Sequence, residues 1–373
     1  MAIEQASLTE ISDVFYRDVQ SLGMSPLWRS TQPGPRDGVP AAPYQPCHWS
    51  WSDIERSLVR AAAIVKPGPE AERRALQLCN PGVAPSPSPT HTLTAAVQMV
   101  MPGEIAPSHR HTMAAIRFII QGDGAITMVN GEPLSMTPGD LILTPGWCWH
   151  GHINRTEAPM IWMDGLDVPL VRSLKAGLYE GYPDELHPAT KPIDHSVSRY
   201  GSGHLRPVWE QTSTKISPML KFPWAQTEQS LRDLAKVDSS PFDDVAMQYT
   251  NPSTGGHVLP TMGCWMQLLR PEAHTRAHRH STCHVYHVFR GSGSTIVDGV
   301  QIDWKQGDFF ALPPDCWHEH LNRSSSEPAF LFSTNDLPVF ESLGLYREDA
   351  YAERDGHQEV VASYAARYGD SRN

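Results

Sequence analysis

The chain has 373 residues, 40% hydrophobic and 19% charged, with 30 Lys and Arg against 41 Asp and Glu and a net charge of −11. The length suits two domains, the composition is that of an ordinary globular protein, and the acidic balance argues against nucleic acid or an anionic membrane as the main partner. Met1-Ala2-Ile3-Glu4-Gln5 has no basic region leading into an apolar core, and no apolar run approaches membrane-spanning length, so a cytoplasmic location is expected. The six cysteines (Cys47, Cys79, Cys148, Cys264, Cys283, Cys316) form no C-x-x-C pair and are read as reduced thiols.

Residues 1–70 carry helical signals and read as an N-terminal arm. Ser12-Asp13 could cap one helix, and Ser52-Asp53-Ile54-Glu55 opens an amphipathic run to Ile64. Trp28, Trp49 and Trp51, in a polar and Pro-rich setting, are expected to pack on a core or a neighbouring subunit. Lys66-Pro67-Gly68-Pro69 is a break. Arg73 and Arg74 follow, and position alone reads them as a solvated face. Asn80 to Pro89 is too rich in proline for a regular element, and Thr92 to Val100 reads as the first strand of a barrel.

The next block runs from Gly103 to Asn154. In a strand, alternate residues share a face, so His109 and His111 point the same way. The apolar run Ile116 to Ile120 reads as continuing that strand to the turn Gly122-Asp123-Gly124. Ala125 to Val129 meets the hairpin signal Asn130-Gly131. After Pro138-Gly139-Asp140, a strand Leu141 to Thr144 leads through Pro145-Gly146 to His150. Two spacings stand out: Gly103, five residues, then His109-Arg110-His111; and Gly139, five residues, Pro145, a turn, His150, three residues, Asn154. Together they resemble the two signature motifs of the cupin family. That family usually has a Glu ligand where this chain has Ala115. The site then offers three neutral imidazoles, His109, His111 and His150, so a divalent metal would keep its charge and several open positions. That suits a chelating anionic substrate with dioxygen beside it. Arg117, two residues beyond Ala115 on the same face, reads as a carboxylate clamp, since a buried guanidinium needs an anion. Asp164, after the run Met160 to Met163, could cap a helix, start a turn, or orient His152.

After a mixed stretch with one expected helix at Thr227 to Lys236, the block recurs. His278-Arg279-His280, Gly291-Ser292-Gly293, Gly307-Asp308, Pro313, Trp317-His318-Glu319-His320 and Asn322 answer their counterparts at an offset of 169 residues, then 168 after the Asn130-Gly131 turn. A repeat that keeps register is a duplicated domain. The fold class is therefore mainly β: a bicupin, two antiparallel jelly-roll barrels with a helical arm. The boundaries fall at 1–70 for the arm, 71–170 for the first, catalytic barrel, 171–245 for a connector, 246–345 for the second barrel and 346–373 for a tail. The second block keeps His278, His280 and His318 and adds His284 as a fourth nitrogen, so it could hold a second metal. Tyr286 stands where Arg117 does, and Phe332 or Ser333 where Asp164 does. Catalysis is expected in the first barrel only.

Finer stretches, Glu72-Arg73-Arg74-Ala75-Leu76, Asn80-Pro81-Gly82, Arg117-Phe118, Thr144-Pro145-Gly146-Trp147, His150-Gly151-His152 and Trp162-Met163-Asp164-Gly165-Leu166-Asp167, resemble the gentisate 1,2-dioxygenase family, which includes salicylate and 1-hydroxy-2-naphthoate dioxygenases. The resemblance spans nearly the whole chain. It implies a homotetrameric enzyme of aromatic catabolism with one Fe(II) per subunit, held in the first barrel by His109, His111 and His150. Gentisate, a small aromatic hydroxy acid, and O2 would be turned into maleylpyruvate. Arg73 and Arg117 match contacts to the substrate carboxylate, which replaces the solvated-face reading of Arg73. His152 and Asp164 match a pocket pair on the hydroxyl side that can pass a proton. Thr94 and Ala96 are expected to line the pocket. The alternatives are a salicylate-type dioxygenase acting on salicylate, a 5-substituted salicylate or 1-hydroxy-2-naphthoate, and a metal-dependent isomerase or decarboxylase. A binding or storage protein fits poorly with two complete His sets.

Overall fold

A computed structural model describes residues 8–30, 44–67, 73–203, 205, 207–209 and 215–365. Glu72, the Gly68-Pro69 half of the break and the end of the tail lie outside the described residues. Residues 1–41 form one compact unit and 42–373 another. In the first, the helix Leu8–Ser21 runs straight through Ser12-Asp13, so that pair is not its cap. Trp28 stacks on Phe15, with ring centroids 6.4 Å apart, and its indole donates to the Tyr16 hydroxyl.

The second unit is two barrels, each a pair of facing sheets. In the first barrel one sheet has the order Lys221–Phe222, Leu141–Thr144, Ala115–Gln121, Met160–Leu166, Thr94–Val100, Ala75–Gln77. The other runs Tyr179–Gly181, Ile105–His111, His150–Ile153, Ile126–Val129, Glu132–Ser135. The second barrel repeats both orders and adds one edge strand, Ala362–Ser363, to its second sheet. Its first sheet is Cys47–Trp49, Phe309–Leu312, His284–Arg290, Ala329–Asn335, Gly263–Leu269, Val245–Gln248. Its second is Glu348–Ala350, His278–His280, His318–Leu321, Ser292–Val297, Val300–Lys305, Ala362–Ser363. Two expectations change here. The first barrel begins with Ala75–Gln77, paired to Thr94–Val100, and not with the latter. Ile105–His111 and Ala115–Gln121 are separate strands in opposite sheets, because the chain turns at residues 112–114.

Alternation explains how the barrels join. On Ala115–Gln121, Ile116 and Phe118 face outward into a core shared with Val285, Phe289, Phe330 and Phe332 of the second barrel. Phe118 stacks on Phe332 at 4.2 Å. Ile119, on the other face, joins Ile142 and Trp162 inside the first barrel.

The segments read as arm and connector contribute strands to these barrels, each across the seam. Cys47–Trp49 pairs with Phe309–Leu312 of the second barrel, and the helix Trp51–Ile64, capped by Ser50, follows. Lys221–Phe222 pairs with Leu141–Thr144 of the first barrel, and the helix Trp224–Leu234 follows, three residues ahead of its expected start. The two docks share one chemistry. The Trp51 N–H donates to Asp308 at 2.8 Å, and the Trp224 N–H to Asp140 at 2.9 Å. Each indole lies where a Cβ on the neighbouring glycine would sit: 2.5 Å from Trp51 at Gly307 and 2.6 Å from Trp224 at Gly139, both at φ near +90°. Only glycine fits both the conformation and the approach.

The repeat reaches further than its motifs. Asp167 accepts the Ala114 N–H and Asp336 the Cys283 N–H, both at 2.9 Å, restoring the 169-residue offset. The returning residue lies in the loop after the motif asparagine: Asn154 donates to the Ala158 carbonyl, Asn322 to that of Glu327. The same offset pairs Asp164 with Ser333, and the cross-strand neighbours agree, Arg117 with Asp164 and Tyr286 with Ser333. All six cysteines are free thiols. Among the described residues no helix is long and apolar enough to cross a membrane.

Candidate active site

His109 and His111 lie on the strand Ile105–His111, and His150 is the cross-strand partner of His109. The Pro145-Gly146-Trp147 turn delivers His150. Trp147 takes φ +64°, and its N–H donates to the His111 carbonyl at 2.6 Å. The three rings are buried, with centroids 4.4, 4.9 and 5.3 Å apart, and one donor atom from each falls within a 4.8 Å group. Nδ1 of His111 donates to the Met113 carbonyl at 2.8 Å and Nδ1 of His150 to that of Cys148 at 3.0 Å. Those bonds fix the tautomer and leave Nε2 with a lone pair. Burial, then the charges of neighbouring groups, holds both imidazoles below their usual range, His111 at about 4. They are neutral, as metal ligands must be.

His109 differs. Its Nδ1 lies 3.0 Å from the Arg73 guanidinium, which also donates to the Pro107 carbonyl. A guanidinium only donates, so Nδ1 of His109 accepts. Arg73 thus stands against the triad, half-buried. Arg74 turns the other way, is buried, and pairs with Glu104 at 2.7 Å. Its solvated-face reading fails because the strand Ala75–Gln77 carries it under residue 65, whose carbonyl it also binds.

The opposite sheet supplies Arg117 and Asp164 as cross-strand neighbours. Arg117 therefore faces the histidines from across the barrel, and is not in register with them on one strand. Arg117 Nε lies 3.2 Å from Asp164 Oδ1, and its Nη1 donates to Thr144. Burial pushes the Asp164 carboxyl up, and the Arg117 charge offsets part of that. Asp164 sits within a strand, so it neither caps a helix nor starts a turn. It also does not orient His152. Its second oxygen accepts from the Trp162 indole at 3.0 Å, while His152 Nδ1 shares a 2.9 Å hydrogen bond with Thr127. Trp162 bridges the two, its ring 4.9 Å from that of His152. His152 Nε2 is buried with no hydrogen-bond partner. Thr94, Ala96 and Gln98 share the inward face of their strand; Thr94 donates to the Leu166 carbonyl and Ala96 is half-buried. Thr127 and Gln98 do not stand out in the sequence, and Thr144 stands out there only within the Thr144-Pro145-Gly146-Trp147 stretch, with no role of its own. Alternation along their strands was the available signal.

The second barrel holds His278, His280 and His318 in a matching 4.8 Å group, and His284 falls outside it, its ring 4.6 Å from that of His280. His278 donates to Glu348, where His109 meets Arg73. His320 and Thr295 repeat the 2.9 Å bond of His152 and Thr127, which makes that pair a property of the fold that the first site can use. The interior is what separates the barrels. Arg117, Met136 and Ile142 are answered by Tyr286, Trp304 and Phe310, and the Tyr286 ring stacks on Phe310 at 4.6 Å. Aromatic rings fill the space that the first barrel gives to its guanidinium.

Fold and site define a bicupin with two histidine triads of metal-ligand geometry, of which the first faces a buried Arg–Asp pair across its barrel and the second faces aromatic rings. Residues 96–168 and 265–335 match the Cupin domain. The chain is 40% identical to a 5-aminosalicylate 1,2-dioxygenase of Comamonas sp, covering 94% of both chains, and 35% identical to a gentisate 1,2-dioxygenase of Aquipseudomonas alcaligenes, covering 92% of this chain and 98% of that one. The solved salicylate 1,2-dioxygenase of Pseudaminobacter salicylatoxidans superposes with a TM-score of 0.85 at 32% identity, over 92% of this chain and 99% of that one. The chain belongs to the gentisate and salicylate 1,2-dioxygenase family of ring-cleaving dioxygenases.

Proposed function

We propose that the first barrel binds one Fe(II) per subunit through His109, His111 and His150, and that the enzyme cleaves gentisate with O2, incorporating both oxygen atoms to give maleylpyruvate. The observation that carries this reading is the meeting of three neutral imidazoles with two guanidiniums, Arg73 and Arg117, in one buried site. Three nitrogen donors without a carboxylate fit a divalent ion that must still accept a chelating anion. Iron bound there would offer positions to the carboxylate and adjacent hydroxyl of the substrate, and would pass electrons from ring to O2.

The chain's own residues do the rest. To hold a metal through Nε2, His109 would carry its ring proton on Nδ1, and that nitrogen would no longer accept from Arg73. The Arg73 guanidinium, anchored on the Pro107 carbonyl, would turn its charge toward the substrate carboxylate. Arg117 is held in place by Asp164 and Thr144 and adds a second positive charge. His152 offers Nε2 to a ring hydroxyl as a proton acceptor, with Thr127 fixing the ring. Thr94 and Ala96 leave room for the ring. The second barrel takes a structural metal. The enzyme works as a cytoplasmic homotetramer, checked by sedimentation as a mass four times the 41.4 kDa chain.

A second reading, 5-aminosalicylate as substrate, is favoured by the 40% identity to the Comamonas relative. Both molecules are salicylates with a donor at the 5-position. Anaerobic Fe(II) loading followed by O2 uptake on gentisate, salicylate and 5-aminosalicylate side by side separates these readings. No uptake with any of them, nor with 1-hydroxy-2-naphthoate, would leave an oxygen-independent isomerase or decarboxylase.

A further inference from the structure

Outside both barrel interiors, a third cluster joins the second barrel to the chain's last described segment. On the strand His318–Leu321 the alternation turns His318 and His320 inward and Glu319 outward. Glu319 is nonetheless fully buried, because residues 351–358 fold over it. Its Oε1 accepts the Gln358 N–H at 2.9 Å. Its Oε2 faces two imidazoles, Nδ1 of His357 at 2.9 Å and Nε2 of His274 at 3.3 Å. Those two rings lie 4.1 Å apart and stay open to solvent on their outer side, with side chains 34% and 41% exposed. In the first barrel Gly151 and Ile105 take the places of Glu319 and His274, so the cluster is not a remnant of the duplication.

We propose that His274, Glu319 and His357 form a divalent-cation site, taking Zn2+ or an ion of similar preference, with water completing its coordination. Two imidazole nitrogens and one carboxylate oxygen are a zinc donor set. Ligands about 2.0–2.2 Å from a tetrahedral ion stand roughly 3.3–3.5 Å from one another; the His274–Glu319 separation of 3.3 Å already matches, and the His357–Glu319 hydrogen bond of 2.9 Å would open by a few tenths of an ångström on binding. A buried carboxylate needs positive charge beside it. A cation held between Glu319 and the two imidazoles supplies that charge. The site pins the segment after Tyr351 to the outer face of the second barrel, leaving the first barrel's chemistry untouched.

Zinc loading, dialysis and metal analysis of wild type, His274→Ala and His357→Ala test this. Both substituted side chains are partly exposed, so the folded state should survive. Each variant should hold one zinc per chain fewer than wild type, with affinity at the third site lowered roughly a hundredfold or more, and ring cleavage should be unchanged. Crystals soaked in Zn2+ should show an anomalous peak between the three side chains, and zinc should protect the C-terminal segment from proteolysis in wild type alone. Equal zinc content in all three proteins, or no anomalous peak at the cluster at saturating zinc, overturns the proposal.

Discussion

Arg117 and Asp164 show why single substitutions in this site mislead. The two are buried against each other, so removing either leaves a charge uncompensated at a cost of about 3–5 kcal/mol. Arg117→Met and Asp164→Asn should each lower the unfolding midpoint, and the double variant should recover most of the loss. Catalytic efficiency should not follow stability. If Arg117 also serves the substrate carboxylate, kcat/KM stays roughly a hundredfold down in the double variant, and Arg117→Lys, which keeps the charge but loses the planar fork, restores only part. Wild-type efficiency in the stable double variant would mean the guanidinium serves Asp164 alone. The histidines allow a simpler test. His150→Ala leaves two imidazoles, and metal content of the first barrel should fall with activity.

The exchanged strand-and-helix segments hold the two barrels to one another. Trp224 fills the gap above Gly139, edge-on to Phe289 at 4.7 Å and Phe330 at 5.3 Å, with the Arg290 guanidinium 5.1 Å from its ring. Trp224→Ala should cost about 3–5 kcal/mol through the cavity it leaves. Gly139→Ala should destabilise for the opposite reason, since its Cβ would overlap the indole at a left-handed φ. Thermal denaturation of both variants checks this. Unchanged midpoints would show that the dock carries little of the stability.

Across the whole molecule, the seam between barrels makes stability depend on acid. His287 is buried beside Phe118 and Phe309, and burial lowers its imidazole to about 3, with Asp308 opposing that in part. The folded state therefore resists protonation while the unfolded chain takes up a proton near pH 6.5. Stability conferred by the neutral ring is full above that pH and is lost as pH falls toward about 3, at up to about 1.4 kcal/mol per unit. His287→Leu should flatten that slope in urea titrations between about pH 7 and about pH 5. In the same spirit, His278→Ala with His318→Ala should remove the second barrel's metal and lower the melting temperature while turnover stays near normal. Loss of ring cleavage from a folded double variant that keeps its first-barrel metal would end the one-site reading.

By itself the sequence determined the duplication, the mainly β class and both histidine sets, because each is a local pattern. Spacing along one strand puts His109 and His111 on one face, and the Pro-Gly turn before His150 is written in consecutive residues. The sequence could not say which sheet a strand joins. Ile105–His111 and Ala115–Gln121 look continuous, yet three residues of turn send them to opposite walls, so Arg117 meets the histidines across the barrel. Only the tertiary structure decided that Asp164 answers Arg117, that Thr127 rather than Asp164 orients His152, and that Cys47–Trp49 and Lys221–Phe222 each complete a barrel across the seam. Those are pairings between residues far apart in the chain. They are selected by burial and hydrogen bonding in the packed state, and leave no period in the sequence to read.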